Sequence, residues 1–376
     1  MSNELIQLRH WLHAYPELSG VESKTAEHIV QFIEKLEPDK IVTNLGGNGV
    51  LVLFDSGKPG KTILFRSELD ALPIQEVNKF AYRSVTDGIS HKCGHDGHTT
   101  ILCVLAEKLS AEKPLTGKVY LLFQPAEETG EGAKLVVEDS QFDIKPDYIF
   151  AFHNLPGYTK GTIVVKEDLF SASVNSIIIK LKGRTAHAAE PEMGENPALA
   201  ISEIINYADK QNNNNPEKSD FRLLTPVHIN MGSEAYGVSA GYGELHYTLR
   251  CWNNEVLRKM EADLIAKIKA IAAKHKLEVE HEFVQTFFAN NNNKEAVGFV
   301  KHVAAELNYQ VEERKYPFKW GEDFGFFTSK FKGCMFGIGA GENHPALHNP
   351  DYDFPDEIIE TGVSMFYGIT KLVLNK

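Results

Sequence analysis

The stretch VYLLFQPAEE, residues 119–128, joins an apolar run directly to a pair of acidic side chains. Residues 119–123 have the length and the aromatic and aliphatic content of a buried strand. A Glu-Glu pair is most often a solvated surface feature, but this one directly follows a run that is expected to be buried. Adjacent side chains of an extended segment point in opposite directions. Glu127 and Glu128 can therefore take different tasks, one at a metal ion and the other at a substrate water.

Other short apolar runs, separated by turn-forming residues, extend this pattern along the chain. They cover residues 50–54, 62–65, 148–152 and 335–338. Such runs suit strands that are buried on both faces, and the helix-like stretch 99–109 alternates with them, so we predict an α/β fold with a mixed or parallel sheet. Four runs lead into potential ligands: Glu68 and Asp70, Glu127 and Glu128, His153, and lastly His344 and His348. Open α/β sheets place their sites at the carboxyl ends of strands, so we expect these side chains to meet.

The stretch richest in ligands is HKCGHDGH, residues 91–98, which places a thiol, three imidazoles and a carboxylate ahead of a predicted helix. Zinc and similar borderline metals accept all three ligand types, and the glycines let the ligands converge on one point. The alternative is a polar loop that caps a helix and contains histidines by chance. The density of ligands favours a metal site.

From about Ser171 the pattern changes to that of a separate, inserted domain. Strand-like residues 174–181, 243–252 and 277–283 alternate with helical residues 196–210 and 255–275, which is close to a βαββαβ unit. We therefore assign residues 1–170 and 287–376 to one domain and residues 171–286 to the insertion.

Two local signals add to this outline. Residues 19–22 (SGVE) have the pattern of a capping box before a helix that Pro38 ends. Asparagine tracts at residues 212–215 and 290–293 predict exposed loops.

Composition excludes several classes of partner. The net charge of −12 argues against a nucleic-acid partner, because phosphate binding depends on Lys and Arg. No run of 18 or more apolar residues occurs, so we expect no membrane insertion. The start, residues 1–4, lacks the pattern of a secretory signal, and four scattered cysteines suit free thiols, so we expect a cytoplasmic protein.

Several motifs together resemble the peptidase M20 family, the aminoacylase/carboxypeptidase family, in the branch of hippurate hydrolase, N-acyl-amino-acid deacetylases and auxin-conjugate hydrolases. They run in order from the first helix to the C-terminal region. They are HWLHAYPELSGVE (10–22), RSELDALPIQE (66–76), HKCGHDGH (91–98), FQPAEE (123–128), Phe152-His153, GRTAHAAEP (183–191), GEDF (321–324) and Leu347-His348.

The resemblance implies a metallopeptidase-type catalytic domain, with a central mixed sheet flanked by helices, and an inserted ferredoxin-like lid domain that mediates homodimerisation. It also implies two neighbouring divalent metal ions, zinc or manganese before cobalt or nickel. The matching metal ligands are Cys93, His95, Glu128, His153 and His348, with Cys93 bridging the two ions. Glu127 matches the general base. His187, in the lid, matches the residue that stabilises the oxyanion, in its own subunit or in the partner.

Four further residues are candidates for supporting or substrate-binding roles. Asp70 and Asp96 are expected to orient imidazoles, Asp323 to support the site or serve only the structure, and Arg250 to contact substrate. Two departures from the family pattern stand out. Glu68 replaces the first Asp of Arg-Ala-Asp-Met-Asp, and Gly237 replaces the lid asparagine that helps to recognise substrate.

These residues predict hydrolysis of an N-acyl amino acid or a related small amide by metal-activated water, with Glu127 as the general base. One alternative is a dipeptidase or aminopeptidase on the same fold. Another is a catalytically silent protein that binds metal or peptide, for which the altered lid is the only support. The acyl group and the amine product stay open, because the lid lacks its usual asparagine.

Overall fold

The structure is a computed structural model that describes residues 3–375, with side chains described from residue 6 onward. Its α-helices, in chain order, are α1 Asn3–Ala14, α2 Ser23–Glu34, α3 His95–Ala111, α4 Gly132–Glu138, α5 Ala198–Lys210, α6 Asn254–Lys274, α7 Lys294–Glu306, α8 Phe324–Thr328 and α9 Ile359–Leu374. Its strands are β1 Lys40–Leu45, β2 Gly49–Asp55, β3 Thr62–Glu68, β4 Lys118–Gln124, β5 Tyr148–Pro156, β6 Ile163–Val165, β7 Asp168–Ser171, β8 Ser173–Lys182, β9 Ala186–His187, β10 Arg222–Met231, β11 Val238–Ser239, β12 Tyr242–Cys251, β13 Glu278–Phe287, β14 Asn290–Asn292, β15 Val311–Glu313 and β16 Gly333–Gly341. Within residues 3–375, no helix combines the length and the apolar character that a bilayer crossing requires.

The chain divides into two compact units. The first contains residues 1–170, 290–315 and 323–376, and the second contains residues 171–289 and 316–322. The sequence analysis predicted that the chain returns to the first domain at residue 287. It did not assign residues 316–322 to the inserted domain, because they are far along the chain from its other residues.

The first unit is built on a mixed sheet of eight strands in the order β1-β2-β4-β3-β5-β16-β6-β15. Its centre, β4-β3-β5-β16, is parallel throughout. These four strands are buried along almost their whole length, which explains why they appear in the sequence as continuous apolar runs. The predicted α/β class with a mixed central sheet flanked by helices is confirmed.

Aromatic packing ties this sheet to the C-terminal helix. The ring of Phe65 on β3 lies 4.6 Å from the ring of Phe366 on α9 and 5.8 Å from that of Phe150 on β5. Burying one such side chain contributes about 1.5–3 kcal/mol to folding. The strands that carry the candidate site residues are therefore held in a rigid, apolar core.

The second unit contains an antiparallel sheet in the order β10-β12-β8-β13, with the element order βαββαβ. Along β12 every second residue is buried, and these residues join α5 and α6 in a core of their own. The sequence patterns did not reveal β10, because it is an edge strand in which only Leu224 is buried.

Two sequence interpretations were wrong in detail. Residues 19–22 do not form a capping box, because α2 begins at Ser23 and the side chain of Glu22 makes no cap hydrogen bond to it. Residues 290–292 are not an exposed loop but strand β14, in which Asn290 and Asn292 are buried. The amide of Asn292 bonds the main chain of Lys166 and Met335, so polar residues satisfy buried backbone groups here.

Candidate metal centre

The candidate residues of the first unit lie at one edge of its sheet. β3 ends at Glu68, β4 ends three residues before Glu127, and His153 lies near the carboxyl end of β5. Because these strands are parallel neighbours, their carboxyl ends share an edge. Glu68, Glu127 and His153 therefore lie near the carboxyl ends of neighbouring strands, where α/β sheets place their sites.

The loop of residues 91–94 leads into α3 through a glycine that the site requires. Gly94 has φ +94°, a left-handed conformation that favours glycine. A Cβ there would lie 2.6 Å from Oδ1 of Asn154 and 2.9 Å from the hydroxyl of Tyr352. Gly94 therefore allows Cys93 and His95 to approach the end of β5 closely.

The thiol and imidazoles lie within metal-ligand reach of one another. Sγ of Cys93 is 3.5 Å from Nε2 of His153. Cys93, His95 and His153 form one group whose potential ligand atoms all lie within 4.8 Å of one another, and Cys93, Glu128 and His348 form a second. The two groups share Cys93.

The two glutamates face the same imidazole. Nε2 of His95 lies 3.9 Å from Oε2 of Glu127 and 3.9 Å from Oε1 of Glu128. Nε2 of His348 lies 3.8 Å from Oε1 of Glu128. His348 follows β16 in a left-handed conformation, φ +66°, and its main-chain N–H donates to the carbonyl of Lys92 at 2.7 Å.

The buried donor atoms fit a cation. Nδ1 of His95 contacts the carbonyl of Asp70 at 2.9 Å, and Nδ1 of His153 contacts that of Asn154 at 2.9 Å, so Nε2 of each ring is directed elsewhere. Nε2 of His95 is buried and has no hydrogen-bond partner among the described residues. A buried polar atom without a partner is costly, and a metal ion would satisfy it.

The electrostatics agree with this fit. Burial and the negative charges of Glu128 and Glu127 raise the pKa of Cys93, and a cation would counter these charges. Burial lowers the pKa of His153 to about 3, which keeps its imidazole neutral, as a metal ligand must be. Burial also opposes the charged form of His95, but the hydrogen bond to Asp70 and the surrounding carboxylates raise its pKa to about 10. An environment that draws a proton onto a buried imidazole is one that also attracts a divalent cation.

Asp70 connects three parts of the centre. Its Oδ1 lies 3.3 Å from Nδ1 of His95. Its Oδ2 accepts hydrogen bonds from the main-chain N–H of Glu128 at 2.8 Å and from the hydroxyl of Ser19 at 2.7 Å. The carboxylate of Asp96 pairs with His13 at 2.7 Å and with Arg9 at 3.3 Å, so the imidazole that it contacts is that of His13.

Asp323 contacts both Glu127 and the end of β4. Its main-chain N–H donates to Oε1 of Glu127 at 3.4 Å. Its side chain accepts from the amide of Gln124 at 2.7 Å and from the guanidinium of Arg66. Asp323 therefore links the end of β4 to the start of α8.

A buried chain through His98 is a feature that the sequence did not indicate. Nδ1 of His98 contacts Oε2 of Glu68 at 2.7 Å, and Nε2 contacts Oδ1 of Asn154 at 2.6 Å. Glu68 also pairs with Arg66. Glu68, the departure from the family pattern, thus has partners for both carboxylate oxygens. The clue available in the sequence was that His98 lies three residues after His95, on the same side of α3.

His187 and Arg250 belong to the second unit. His187 is exposed on β9, which pairs with β11, and its Nδ1 accepts a hydrogen bond from the main-chain N–H of Ala189 at 3.1 Å. Arg250 donates to the carbonyl of Lys319 at 2.8 Å. Gly237 precedes β11, and a Cβ on it would meet open space.

Known proteins resemble this chain over almost its whole length. It is 32% identical to the hippurate hydrolase of Campylobacter jejuni, over 97% of this chain and 95% of that protein. It is also 32% identical to the N-acetyldiaminopimelate deacetylase of Listeria monocytogenes, over 97% of this chain and 98% of that protein. The YXEP protein of Bacillus subtilis, described as a dinuclear metal-binding peptidase of the M20 family, superposes with a TM-score of 0.82 at 27% identity, over 99% and 98% of the two chains.

The family assignment rests on a match that includes the candidate centre. Residues 64–371, which contain Cys93, Glu127 and His348, match the family described as Peptidase family M20/M25/M40. The chain therefore belongs to peptidase family M20/M25/M40.

Proposed function

We propose that this chain is a metal-dependent amidohydrolase that cleaves N-acyl amino acids, or related small amides, into a carboxylate and an amine. Its family makes it a hydrolase of amide bonds. The observation that carries the finer proposal is the convergence of thiol, imidazole and carboxylate donors around the buried Nε2 of His95, which has no hydrogen-bond partner among the described residues.

The proposed metal ligands are Cys93, His95, Glu128, His153 and His348, in two groups that share the sulfur of Cys93. The mixed donor set suits zinc or manganese, with cobalt or nickel as alternatives. When bound, two divalent cations lower the pKa of water and polarise the substrate carbonyl. Asp70 would hold His95 so that Nε2 faces the cation.

Glu127 would carry the proton in this reaction. Its Oε1 accepts from the main-chain N–H of Asp323, which fixes the carboxylate, while Oε2 is the oxygen nearer to His95. In this position Glu127 would accept a proton from the attacking water and return it to the leaving amine. His187 would donate to the oxyanion. Because Nδ1 of His187 accepts from a backbone N–H, its neutral ring carries the proton on Nε2, which supports that role.

The substrate class follows from the relatives. Hippurate hydrolase and N-acetyldiaminopimelate deacetylase are named for N-acyl amino acids as substrates. Arg250 is a candidate for binding the substrate carboxylate. Gly237 lacks the amide that the family pattern places there, so we propose the class without choosing one acyl group.

We also propose a homodimer that forms through the second unit. β10 is an edge of its sheet and exposes Val227, Ile229 and Met231 at 64%, 43% and 40%. An exposed edge strand with apolar side chains readily pairs with another chain. The mass of the protein in solution, measured by light scattering, tests this, and the mass of one chain would contradict it. The cytoplasmic location stays a prediction.

The direct test of the activity is amine release from purified protein. The protein is stripped with a chelator and reloaded separately with zinc, manganese, cobalt or nickel. Each form is assayed on N-benzoylglycine, N-acetyldiaminopimelate, other N-acetyl amino acids and unblocked dipeptides. We expect no turnover without metal, and turnover of at least one N-acyl amino acid with metal. Cleavage of unblocked dipeptides alone would indicate a dipeptidase, and no turnover with any metal would indicate a silent homologue.

A further inference from the structure

The segment of residues 19–22 reaches the loop that carries the two glutamates. Oε1 of Glu22 accepts hydrogen bonds from the main-chain N–H of Ala126 and of Gly20, both at 2.8 Å. Oε2 accepts from the side-chain amide of Asn48 at 3.0 Å. The side chain of Glu22 is fully buried, and its bond to Ala126 is shielded from water.

Ala126 needs such an anchor. It has φ +52°, a left-handed conformation that costs a residue with a Cβ about 1–2 kcal/mol. This turn directly precedes Glu127 and sets the direction of its side chain. The turn is also closed by hydrogen bonds from Gly132 N–H to the carbonyl of Ala126 at 3.0 Å and from Gly130 N–H to that of Glu127 at 2.7 Å. Glu22 supplies the bond on the amide side of the strained residue.

The neighbouring glutamate has a different anchor. The main-chain N–H of Glu128 donates to Asp70, and Asp70 in turn accepts from the hydroxyl of Ser19. One short segment thus contributes to both anchors, with Glu22 bonded to the residue before Glu127, and Ser19 linked through Asp70 to Glu128. Loss of Glu22 leaves the Asp70 bond to Glu128 in place.

Helix capping does not explain the burial of Glu22. Its side chain makes no cap hydrogen bond to α2. Glu17 serves α2 instead, because its Oε2 accepts from the main-chain N–H and the hydroxyl of Thr25 at 2.8 and 2.9 Å. Burial raises the pKa of Glu22, which means that placing a carboxylate here is unfavourable for folding. The hydrogen bonds from Ala126, Gly20 and Asn48 offset part of this cost, and the bond from Ala126 connects Glu22 to the loop of Glu127 and Glu128.

We propose that Glu22 is a positioning residue for Glu127, which it holds in reach of substrate water by fixing the left-handed turn at Ala126. The inference rests on the proposed role of Glu127 as general base. It predicts that hydrogen-bond reach matters at position 22, rather than negative charge.

Four variants separate these possibilities. Glu22→Gln keeps the reach and one acceptor oxygen but loses the charge, whereas Glu22→Asp keeps the charge but shortens the side chain by one methylene. Glu22→Ala removes both. Glu17→Ala is the matched control, because it removes similar carboxylate hydrogen bonds two residues before this segment, to Thr25 rather than to residue 126.

The first measurement is steady-state kinetics with metal content determined for each variant. We expect Glu22→Ala to lower kcat by about 100-fold, since a displacement of about 1 Å can cost that much, while KM and metal content stay near those of the wild type. Glu22→Asp should lose most of the same factor, and Glu22→Gln and Glu17→Ala should stay close to the wild type. A kcat loss that follows metal loss, or that is larger in Glu22→Gln than in Glu22→Asp, would overturn the proposal.

The second measurement does not depend on activity. Hydrogen exchange of a peptide covering residues 125–131 should be faster in Glu22→Ala than in the wild type and unchanged in Glu17→Ala. Unchanged exchange in Glu22→Ala overturns the proposal whether or not the protein is active. Faster exchange in Glu22→Ala, together with a wild type that turns over no substrate, would support the anchor and refute the proposed function, so the two failures are distinguishable.

Discussion

The candidate metal centre of the first unit and the β9–β11 region of the second unit are built in different ways. Around the centre, Asp70, His95 and His98 are buried and bonded to neighbours from several strands. In the second unit, His187 is exposed and Gly237 adjoins open space. The side chains of the centre are held in place by packing and hydrogen bonds, whereas those of the β9–β11 region lie on exposed segments. Substitutions at the two regions should therefore differ in their effects on stability, metal content and specificity.

The largest effect is expected at the candidate metal centre. Glu127→Gln should lower kcat by about 10²–10⁴-fold, because it removes the proton acceptor while keeping the shape of the side chain. Metal content, measured by elemental analysis, should stay unchanged. Glu131→Gln, an exposed residue four positions later, is the control and should behave as wild type. Loss of metal from Glu127→Gln would show that Glu127 is a ligand rather than the base.

The exposed side of the comparison is tested at His187. His187→Ala should lower kcat by about 10²–10³-fold through loss of a donor to the oxyanion. Its Tm and metal content should match the wild type, because an exposed side chain contributes little to packing. The control is His281→Ala, at an exposed histidine of the same unit. Equal kcat in the two variants would remove His187 from the mechanism.

A smaller effect is expected at Gly237, and it concerns specificity. Gly237→Asn introduces the amide of the family pattern into open space, so Tm should not change. We expect KM for substrates with a free carboxylate to change by up to about 10-fold, as one hydrogen bond to a charged group allows. Gly237→Ala adds the Cβ without the amide and should leave KM unaltered. The same change in both variants would point to the backbone instead of the amide.

The smallest effect concerns the first unit, whose stability should depend on pH. The reason is the buried contact of His13 with Asp96 and Glu76. Burial opposes the charged form of His13, but hydrogen bonds to Asp96 and Glu76 raise its pKa from 6.5 to about 9. Because the pKa of His13 is higher in the folded than in the unfolded state, protonated His13 stabilises the fold. This stabilisation is complete below pH 6.5 and is lost as pH rises through about 9.

The corresponding measurement is the Tm of metal-free protein between these two pH values. The difference in Tm between wild type and His13→Asn should shrink by several degrees as pH rises, at about 2–4 °C for each kcal/mol lost. His302→Asn, at an exposed histidine of α7, should show no such trend. A constant difference between wild type and His13→Asn would mean that His13 is neutral in the folded protein.

Local sequence patterns predicted the buried strands well, because strands covered on both faces must be apolar throughout. Residues 62–65 and 119–123 fall within β3 and β4, and both are central parallel strands. Edge strand β10 was missed for the same reason, since exposed residues carry no such pattern. The prediction for Asn290 and Asn292 was wrong because a tract of polar residues usually indicates exposure to solvent. Here the amide of Asn292 bonds buried main-chain groups, and Oδ1 of Asn290 accepts from the hydroxyl of Thr328.

The sequence by itself determined the α/β class, the family resemblance and a set of ligand types at strand ends, since these depend on local periodicity and on short motifs. Only the tertiary structure decided which residues support that set. Glu22 looked like part of a helix signal, yet it bonds Ala126, which lies 104 residues further along the chain. Asp96 lies next to His95 in sequence but turns to His13. Hydrogen bonds between distant segments depend on how the strands and helices pack, and no local pattern records them.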